Sequence, residues 1–233
     1  MLALIAAMDE EISDLRRSMA VTGVDERGGF VVYRCTHSGK KVLLVSSGVG
    51  RQHADHASRS LLDHYPVTAI VSFGFAGALK DSLKIGDVVA CSSMVCSDGS
   101  HGPGCSSDSA LMSAARACYE PWLSCGIGVT APRLVASRSQ KIALLENSEA
   151  DIVDMESYWI GVVAAENGVP FVAVRSVSDS ATDSLPDLPS WKWRHVVPHF
   201  ALHPASAFSL YRGVSTARKN MSRFMSHMIE AAA

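Results

Sequence analysis

Residues 68–78 read Thr68-Ala-Ile-Val-Ser-Phe-Gly-Phe-Ala-Gly-Ala78, a run that is β-branched and apolar at its start and rich in glycine at its end. The first part, Thr68–Phe73, has the length and composition of a buried strand and predicts a central strand of a sheet. The two glycines that follow, Gly74 and Gly77, indicate either a close approach of the backbone to a ligand or tight packing around a bulge.

On both sides of this stretch, apolar runs of strand length alternate with helical patterns. The other predicted strands are Leu2–Ala7, Phe30–Cys35, Lys41–Ser46, Ile85–Val95, Gly126–Ala136, Asp151–Met155 and Pro170–Val177. The predicted helices are Asp9–Ser18, Arg51–His64, Ser107–Tyr119, Ser139–Glu146, Glu156–Asn167 and Ala205–Glu230, the last broken or bent near Gly213. This alternation predicts an α/β fold in which helices flank both faces of a central mixed β-sheet. No shift in composition marks a boundary, so residues 1–233 are predicted to form a single domain, with residues 181–233 as a variable C-terminal loop and helix.

Composition and charge argue against several classes of partner. Apolar residues make up 48% of the chain and the formal net charge is -2, so no basic face for nucleic acid is indicated. The apolar run at the N-terminus is short and is followed directly by acids, which argues against a secretory signal, and no run approaches the ~20 apolar residues of a membrane helix. We therefore predict a cytoplasmic protein without a nucleic-acid or membrane partner, whose basic terminal helix presents a solvated face.

The spacing of cysteine and histidine does not predict a metal site. The six cysteines include no C-x-x-C pair and are interpreted as reduced thiols within apolar stretches. The cysteines that could act as ligands are irregularly spaced: Cys91, Cys96 and Cys105. Three histidines stand at intervals of four, but prolines interrupt the helix that would align them: His195, His199 and His203. No metal and no cofactor are predicted.

Acids follow the first predicted strand. In Asp9-Glu-Glu11 they open a helix, where negative side chains stabilise the helix dipole. A carboxylate at the end of a strand can also act as a general base that activates water. The motif alone leaves both interpretations open.

Glycines follow the strand that ends at Ser46. In Ser46-Ser-Gly-Val-Gly50, Gly48 and Gly50 would let the backbone approach a ligand, although a plain tight turn explains them equally well. A dinucleotide fingerprint needs a third glycine, and His53 stands at that position. A dinucleotide oxidoreductase is therefore excluded.

Two further carboxylates belong to the segments Asp154-Met-Glu156 and Arg175-Ser-Val-Ser-Asp179. Glu156 could accept hydrogen bonds from two vicinal hydroxyls, and Asp179 could donate a proton to a leaving group if the fold buries it. Each residue taken alone is also explained as a helix cap or a turn former.

Together these clusters resemble the nucleosidase/nucleoside phosphorylase superfamily, especially the methylthioadenosine/S-adenosylhomocysteine nucleosidases. The resemblance runs from Met1 to about Asp183. Six segments in four groups carry it, in this order: Ala7-Met-Asp-Glu-Glu11; Ser47-Gly-Val-Gly50; Gly74-Phe-Ala-Gly-Ala78 followed by Leu83-Lys-Ile-Gly-Asp-Val88; and Asp154-Met-Glu-Ser157 with Val174-Arg-Ser-Val-Ser-Asp179. Each segment alone is a weak signal, and their order and separations make the combination specific.

The resemblance implies a role for each matching residue. Glu11 matches the carboxylate that activates the attacking water, and Arg175 matches an arginine near that water. Asp179, supported by Ser178, matches the acid that protonates the purine at N7. Glu156 matches the residue that binds the ribose hydroxyls. The other residues that the resemblance places against the substrate are Gly48, Gly50, Phe75, Ala76, Gly77 and Met155.

The chain also departs from the family pattern. Many relatives carry Ser or Thr where this chain has Phe75, which offers no hydroxyl to phosphate or water. Relatives also tend to place an aromatic residue against the base after the strand near Val135, and here Ser137-Arg-Ser-Gln-Lys141 contains none.

Three features of the chain are closer to the hopanoid-associated nucleosidase/phosphorylase branch: Asp154-Met-Glu-Ser157, residues 178–186 and the tail around His203. In that branch, Trp191, Trp193 and Phe200 could line an apolar pocket for the 5′ group, while core packing or a partner surface is the favoured interpretation.

These observations predict hydrolysis of the N-glycosidic bond of a purine nucleoside, with a 5′-substituted adenosine as substrate and adenine as product. Phosphorolysis by the same fold is the first alternative, and it is disfavoured because a carboxylate at Glu11 repels phosphate and Phe75 removes a donor. A nucleoside-binding protein without catalysis is the second alternative. The resemblance also implies a homo-oligomer, a dimer, which completes the 5′ pocket.

Overall fold

A computed structural model describes residues 1–99, 104–118, 120–185 and 204–232, with the side chains of the C-terminal helix described from residue 212. Its strands are β1 (Leu2–Ala6), β2 (Ala20–Arg27), β3 (Phe30–His37), β4 (Lys40–Ser46), β5 (Ala69–Ala78), β6 (Val88–Cys96), β7 (Cys105–Ser106), β8 (Leu123–Thr130), β9 (Ile152–Asp154) and β10 (Phe171–Asp179). Its helices are α1 (Asp9–Arg17), α2 (Arg51–His64), α3 (Ser109–Ala117), α4 (Arg138–Ser148), α5 (Ser157–Glu166) and α6 (Pro204–Ala231).

All the strands belong to one mixed sheet, in the order β10-β6-β8-β9-β5-β1-β4-β3-β2, with β7 paired to β6. The central strand β5 is parallel to β1 and β10 and antiparallel to β9. Because β10 pairs with β5 as well as with β6, the path β5-β10-β6-β8-β9 closes on itself. The carboxyl ends of β1, β4, β5 and β10 point the same way because these four strands are parallel.

Helices cover both faces of the sheet, each over its own apolar core. On one face α2 and α5 pack against the sheet, with Leu61 and Ile160 among the buried side chains. On the other face α1, α3 and α6 do so, with Ile12, Leu111 and Phe224 buried. The predicted α/β fold, a mixed sheet flanked on both faces, is confirmed.

Strand β2 was missed by the sequence prediction. Its residues are mostly exposed, and the segment Ala20-Val-Thr-Gly-Val-Asp-Glu-Arg27 lacks the apolar run that identifies the buried strands. It forms as the edge strand of the sheet because β3 offers it an antiparallel partner. A second difference is that β8 covers Leu123–Thr130, so the predicted strand over Gly126–Ala136 started too late and ran too far.

The predicted break of the terminal helix near Gly213 is wrong, because α6 runs without interruption from Pro204 to Ala231. Gly213 is needed for close packing instead, since a β-carbon there would overlap the carbonyl oxygen of Ser178 in β10. The helix is also more than a solvated face. Its apolar side is buried against the sheet through Met221, Phe224, Met225, Met228 and Ile229.

No helix among the described residues is long and apolar enough to cross a membrane. The six cysteines are free thiols. Among the described residues no group of three or more His, Cys, Asp or Glu side chains could hold a metal ion. The three histidines weighed as metal ligands lie outside the described residues, as do Trp191, Trp193 and Phe200.

Candidate active site

The predicted functional segments meet at one edge of the sheet, where the parallel strands end. The loops after β1 and β4 lie side by side, because Ser47 and Gly48 donate backbone hydrogen bonds to the carbonyls of Ala6 and Ala7, at 2.8 and 3.0 Å. This pairing brings the turn that precedes Glu11 next to the glycines that precede α2.

Glu11 lies in the first turn of α1 and is 5% exposed. Its Oε2 accepts hydrogen bonds from the backbone N–H groups of Ala7 and Met8, both at 2.9 Å, and its Oε1 accepts one from Phe75 in β5 at 2.8 Å. Burial raises the pKa of Glu11 above its ordinary value, while the Arg175 guanidinium and the backbone donors oppose the rise. Glu11 therefore caps its helix, as one interpretation of the motif held, and also joins α1 to the central strand.

Gly74 makes this contact between α1 and β5 possible. Its φ of +151° lies in a region that residues with side chains rarely adopt, and a β-carbon there would overlap the carboxylate of Glu11. The glycine at this position is explained by tight packing, the second of the two interpretations made from the sequence. The group that approaches it is a carboxylate of the protein itself.

Glu156 lies between β9 and α5, two residues after β9 ends, and it is 8% exposed. Its Oε1 accepts a 2.7 Å hydrogen bond from the backbone N–H of Gly50. Burial, followed by the negative charges of Asp154 and Glu11, raises the pKa of Glu156 to about 8. The effect of the Glu11 charge on Glu156 indicates that the two carboxyl groups lie near each other.

Beneath these carboxylates lies a buried ion pair between Arg175 and Asp154. The guanidinium donates from Nε to Oδ2 of Asp154 at 2.9 Å, from Nη2 to Oγ of Ser72 at 2.8 Å and from Nη1 to the carbonyl of Val174 at 3.1 Å. Thr130 donates its hydroxyl to the other oxygen of Asp154. Arg175 is thus bound to protein oxygens through all three nitrogens, while its charge lowers the pKa of both Glu11 and Glu156.

The sequence interpretation gave Arg175 a place near the water and assigned Asp154, Ser72 and Thr130 no role. Their side chains are polar but buried, 0–5% exposed, and a single sequence does not reveal which polar residues share a buried network. The signal that could have identified Ser72 is the alternation of side chains along a strand. Ser72 lies on the same face of β5 as Gly74, and Gly74 pairs with Arg175 in β10.

Asp179 ends β10 and is 4% exposed. The hydroxyl of Ser178 donates to its Oδ1 at 2.8 Å, and the ammonium group of Lys141 in α4 donates to its Oδ2. Opposite this carboxylate stands Gly77, where a β-carbon would come within 3.0 Å of Oδ2. The contact with Lys141 was not expected, because residues 137–141 were considered only for the aromatic side chain that they lack.

The remaining predicted residues surround these carboxylates. Met155 is partly buried beside Glu156, and Phe75, Gly77 and Gly48 are likewise partly exposed. Ala76 is 4% exposed and offers its carbonyl to Ser178 at 3.3 Å. The predicted site residues therefore lie near one edge of the sheet, on β5 and β10, in the loops after β4 and β9 and, for Glu11, in the first turn of α1.

A family model described as "Phosphorylase superfamily" matches residues 1–201 of this chain. A 5′-methylthioadenosine/S-adenosylhomocysteine nucleosidase from Neisseria meningitidis, solved with methylthio-immucillin-A, is 25% identical, with a TM-score of 0.83 over 98% of each chain. A nucleosidase of the same name from Colwellia psychrerythraea 34H, solved with adenine, is 22% identical, with a TM-score of 0.83 over 99% of this chain and 94% of that one. Futalosine hydrolase of Helicobacter pylori strain 26695 is 19% identical, with a TM-score of 0.81 over 98% and 97% of the two chains. The last two, at their lower identities, show a shared fold.

Proposed function

The chain belongs to the phosphorylase superfamily, and from that membership we propose that it hydrolyses the N-glycosidic bond of a 5′-substituted adenosine and releases adenine. The observation that carries the proposal is the set of three buried carboxyl groups at one edge of the sheet, Glu11, Glu156 and Asp179. Each has a distinct set of partners, and each suits a different part of a nucleoside.

The two ends of the site are set by the central strand. Gly74 lies against Glu11 and Gly77 lies against Asp179, and three residues of strand span about 10 Å. A nucleoside placed along this segment has its base at Asp179 and the open face of its sugar at Glu11. A water molecule then fits between the sugar and the Glu11 carboxylate.

Glu11 is the general base of this proposal. Three backbone N–H groups hold its carboxylate in one orientation, and burial raises its pKa toward the range in which a carboxylate accepts a proton from water. Positive charge builds on the sugar as the glycosidic bond breaks, and the negative charge of Glu11 stabilises it.

Glu156 binds the ribose. The N–H of Gly50 holds its Oε1, whereas its Oε2 makes no hydrogen bond to any described residue. A carboxyl group oriented through one oxygen can hydrogen-bond to vicinal hydroxyls through its other oxygen, as an acceptor when ionised and as a donor when protonated. Met155, the preceding residue, offers an apolar surface to the sugar.

Asp179 protonates the leaving purine. It is buried at the end of β10, and Ser178 fixes the orientation of its carboxyl group. Protonation of the base removes the negative charge that would otherwise oppose cleavage, and an acid of this kind typically accelerates a reaction by ~10²–10⁴-fold.

Hydrolysis is favoured over phosphorolysis by the partners of Arg175. Phosphate binding relies on a guanidinium or on several free donors, and three of the five N–H groups of Arg175 already donate to oxygens of the protein. The carboxylate of Glu11 would in addition repel an incoming phosphate. The nucleosidases with adenine or methylthio-immucillin-A bound support adenine as the base.

The test is release of free adenine from methylthioadenosine, S-adenosylhomocysteine and 5′-deoxyadenosine, with inosine as a 6-oxo comparison, each with and without phosphate. Asp179→Asn removes the proposed acid, and Asp63→Asn alters an exposed aspartate of α2 as the matched control. We expect phosphate-independent release that Asp179→Asn lowers by about 10²-fold or more and Asp63→Asn leaves unchanged. Dependence on phosphate would identify a phosphorylase, and binding without release would identify a nucleoside-binding protein.

The homodimer, the cytoplasmic location and the variable character of residues 181–233 stay predictions. Sedimentation of the purified protein tests the first of them, since a dimer doubles the mass of the 24.8 kDa chain.

A further inference from the structure

Lys141 is the only buried residue of α4, an otherwise exposed or half-exposed helix whose residues are all described. Its side chain is 1% exposed. An ammonium group removed from water in this way is strongly unfavourable unless it is paired and hydrogen-bonded. The position of Lys141 therefore depends on its partners.

Those partners belong to the proposed acid. The Nζ of Lys141 donates to Oδ2 of Asp179 and, at 2.6 Å, to the backbone carbonyl of Ser180. The second contact anchors the ammonium group to the chain directly beyond Asp179. Lys141 thus binds both the carboxylate of Asp179 and the backbone next to it.

The other side of Asp179 is equally constrained. The hydroxyl of Ser178 donates to Oδ1, and the absence of a side chain at Gly77 leaves space for Oδ2. With Lys141 on Oδ2, the carboxyl group has one orientation and a cation fixed against it.

We propose that Lys141 is a positioning residue for departure of the purine, and that it acts through Asp179. This inference rests on the proposed function. In the free protein Asp179 is the carboxylate of this ion pair, so it takes up a proton from solvent when the nucleoside binds. As that proton passes to the purine, the O–H bond to Asp179 breaks and the electron pair of the glycosidic bond leaves with the base. Asp179 becomes a carboxylate again, and the ammonium group of Lys141 stabilises this carboxylate more than it stabilises the neutral acid. Relative to the bound state with a protonated Asp179, Lys141 therefore favours the transition state.

Four variants test this coupling: Lys141→Met, Lys141→Arg, Asp179→Asn and the double variant Lys141→Met/Asp179→Asn. We expect Lys141→Met to lower kcat for adenine release by about 10²-fold with KM changed less than about 3-fold, and Lys141→Arg to restore kcat to within about 10-fold of the wild type. In the Asp179→Asn background, removal of Lys141 should lower kcat by no more than about 2-fold, because the group through which it acts is already gone.

The matched control is Lys80→Met, which removes a lysine that pairs with Asp151 at 2.6 Å and is 42% exposed. It should leave kcat unchanged. Thermal melting checks that each variant is folded, and Lys141→Gln replaces Lys141→Met if the latter does not fold. Additive losses in the double variant, or a kcat of Lys141→Met within about 3-fold of the wild type, would overturn the proposal.

Calorimetric binding of free adenine separates this inference from the proposed function. If the wild type binds adenine but releases none from any nucleoside, the proposed function fails while Lys141 can still be tested. Adenine should then bind about 10-fold more weakly to Lys141→Met and within about 3-fold of wild type to Lys141→Arg. Equal affinity in wild type and Lys141→Met would overturn the role of Lys141, and no adenine binding by the wild type would overturn both.

Discussion

The carboxylate of Glu11 occupies the space that a side chain at Gly74 would need. One strand residue without a side chain therefore allows α1 to present its glutamate to the N–H of Phe75. The backbone at Gly74 has a φ of +151°, which a residue with a β-carbon rarely adopts. Conformation and space both require glycine at this position.

Gly74→Ala should therefore displace the Glu11 carboxylate from its three donors. We expect kcat for adenine release to fall by about 10²-fold or more, since misplacement of a general base removes its contribution. Steady-state kinetics with methylthioadenosine measure this effect.

The control for backbone strain is Gly29→Ala. Gly29 has a φ of +93°, and no atom lies within 4 Å of the position that its β-carbon would take. This substitution should cost about 1 kcal/mol of stability and leave kcat intact. Equal effects of the two substitutions on kcat would contradict the contact with Glu11 as the cause.

Glu156→Gln should change how stability depends on pH. The pKa of Glu156 is raised to about 8 in the folded chain from an ordinary value of 4.5. Between these two values the folded chain binds more protons than the unfolded chain, so the contribution of Glu156 to stability is present at low pH and is lost as pH rises. Glutamine keeps the acceptor for Gly50 and does not ionise.

We therefore expect the melting temperature of Glu156→Gln, relative to the wild type, to increase by about 4 °C or more between pH 5 and pH 8. Glu146→Gln, at an exposed position of α4, should show no such change. A difference in melting temperature that stays constant between pH 5 and pH 8 would mean that the fold does not raise the pKa of Glu156.

Most of the fold could be predicted from the sequence, whereas the contacts among the candidate site residues could not. The alternation of buried strands with amphipathic helices predicted the mixed sheet, because hydrophobic periodicity reflects local burial. Strand β2 escaped because an edge strand with exposed side chains has no such pattern. Lys141 escaped for a related reason: its environment is set by Asp179, 38 residues further along the chain, and a lysine in a polar helix normally faces water.

Arg175→Met should destabilise the chain and move the pH profile of its activity. Removal of the guanidinium leaves Asp154 buried without its cation, and loss of one partner of a buried pair typically costs ~3–5 kcal/mol. The double variant Arg175→Met/Asp154→Asn should recover part of that loss, as measured by urea unfolding.

The activity of Arg175→Met should decline at a higher pH than that of the wild type as the solution is acidified. Arg175 lowers the pKa of Glu11, so its removal leaves Glu11 protonated to a higher pH, and a protonated base cannot activate water. The control is Arg59→Met, an exposed arginine paired with Asp55 and Glu166. A profile of kcat/KM that is identical for Arg175→Met and the wild type would show that Arg175 does not act on Glu11.

Gly213→Ala should be destabilising although it lies inside a helix. Alanine in place of an interior helical glycine normally stabilises a helix by roughly 0.5–1 kcal/mol. At Gly213 the added β-carbon would overlap the carbonyl of Ser178, so α6 must move away from β10. Because the hydroxyl of Ser178 orients Asp179, we expect this movement to displace the carboxyl group of Asp179 as well.

We expect Gly213→Ala to lower the melting temperature and to lower kcat for adenine release by several-fold with a smaller change in KM. Thr216→Ala, one turn further along α6 at an exposed position, is the matched control and should have no effect on kcat. A stabilised Gly213→Ala variant with wild-type activity would mean that α6 packs on β10 less closely than this contact requires. It would also show that the terminal helix does not affect the site. The expected losses would instead show that α6 supports Asp179, the residue proposed to protonate the purine.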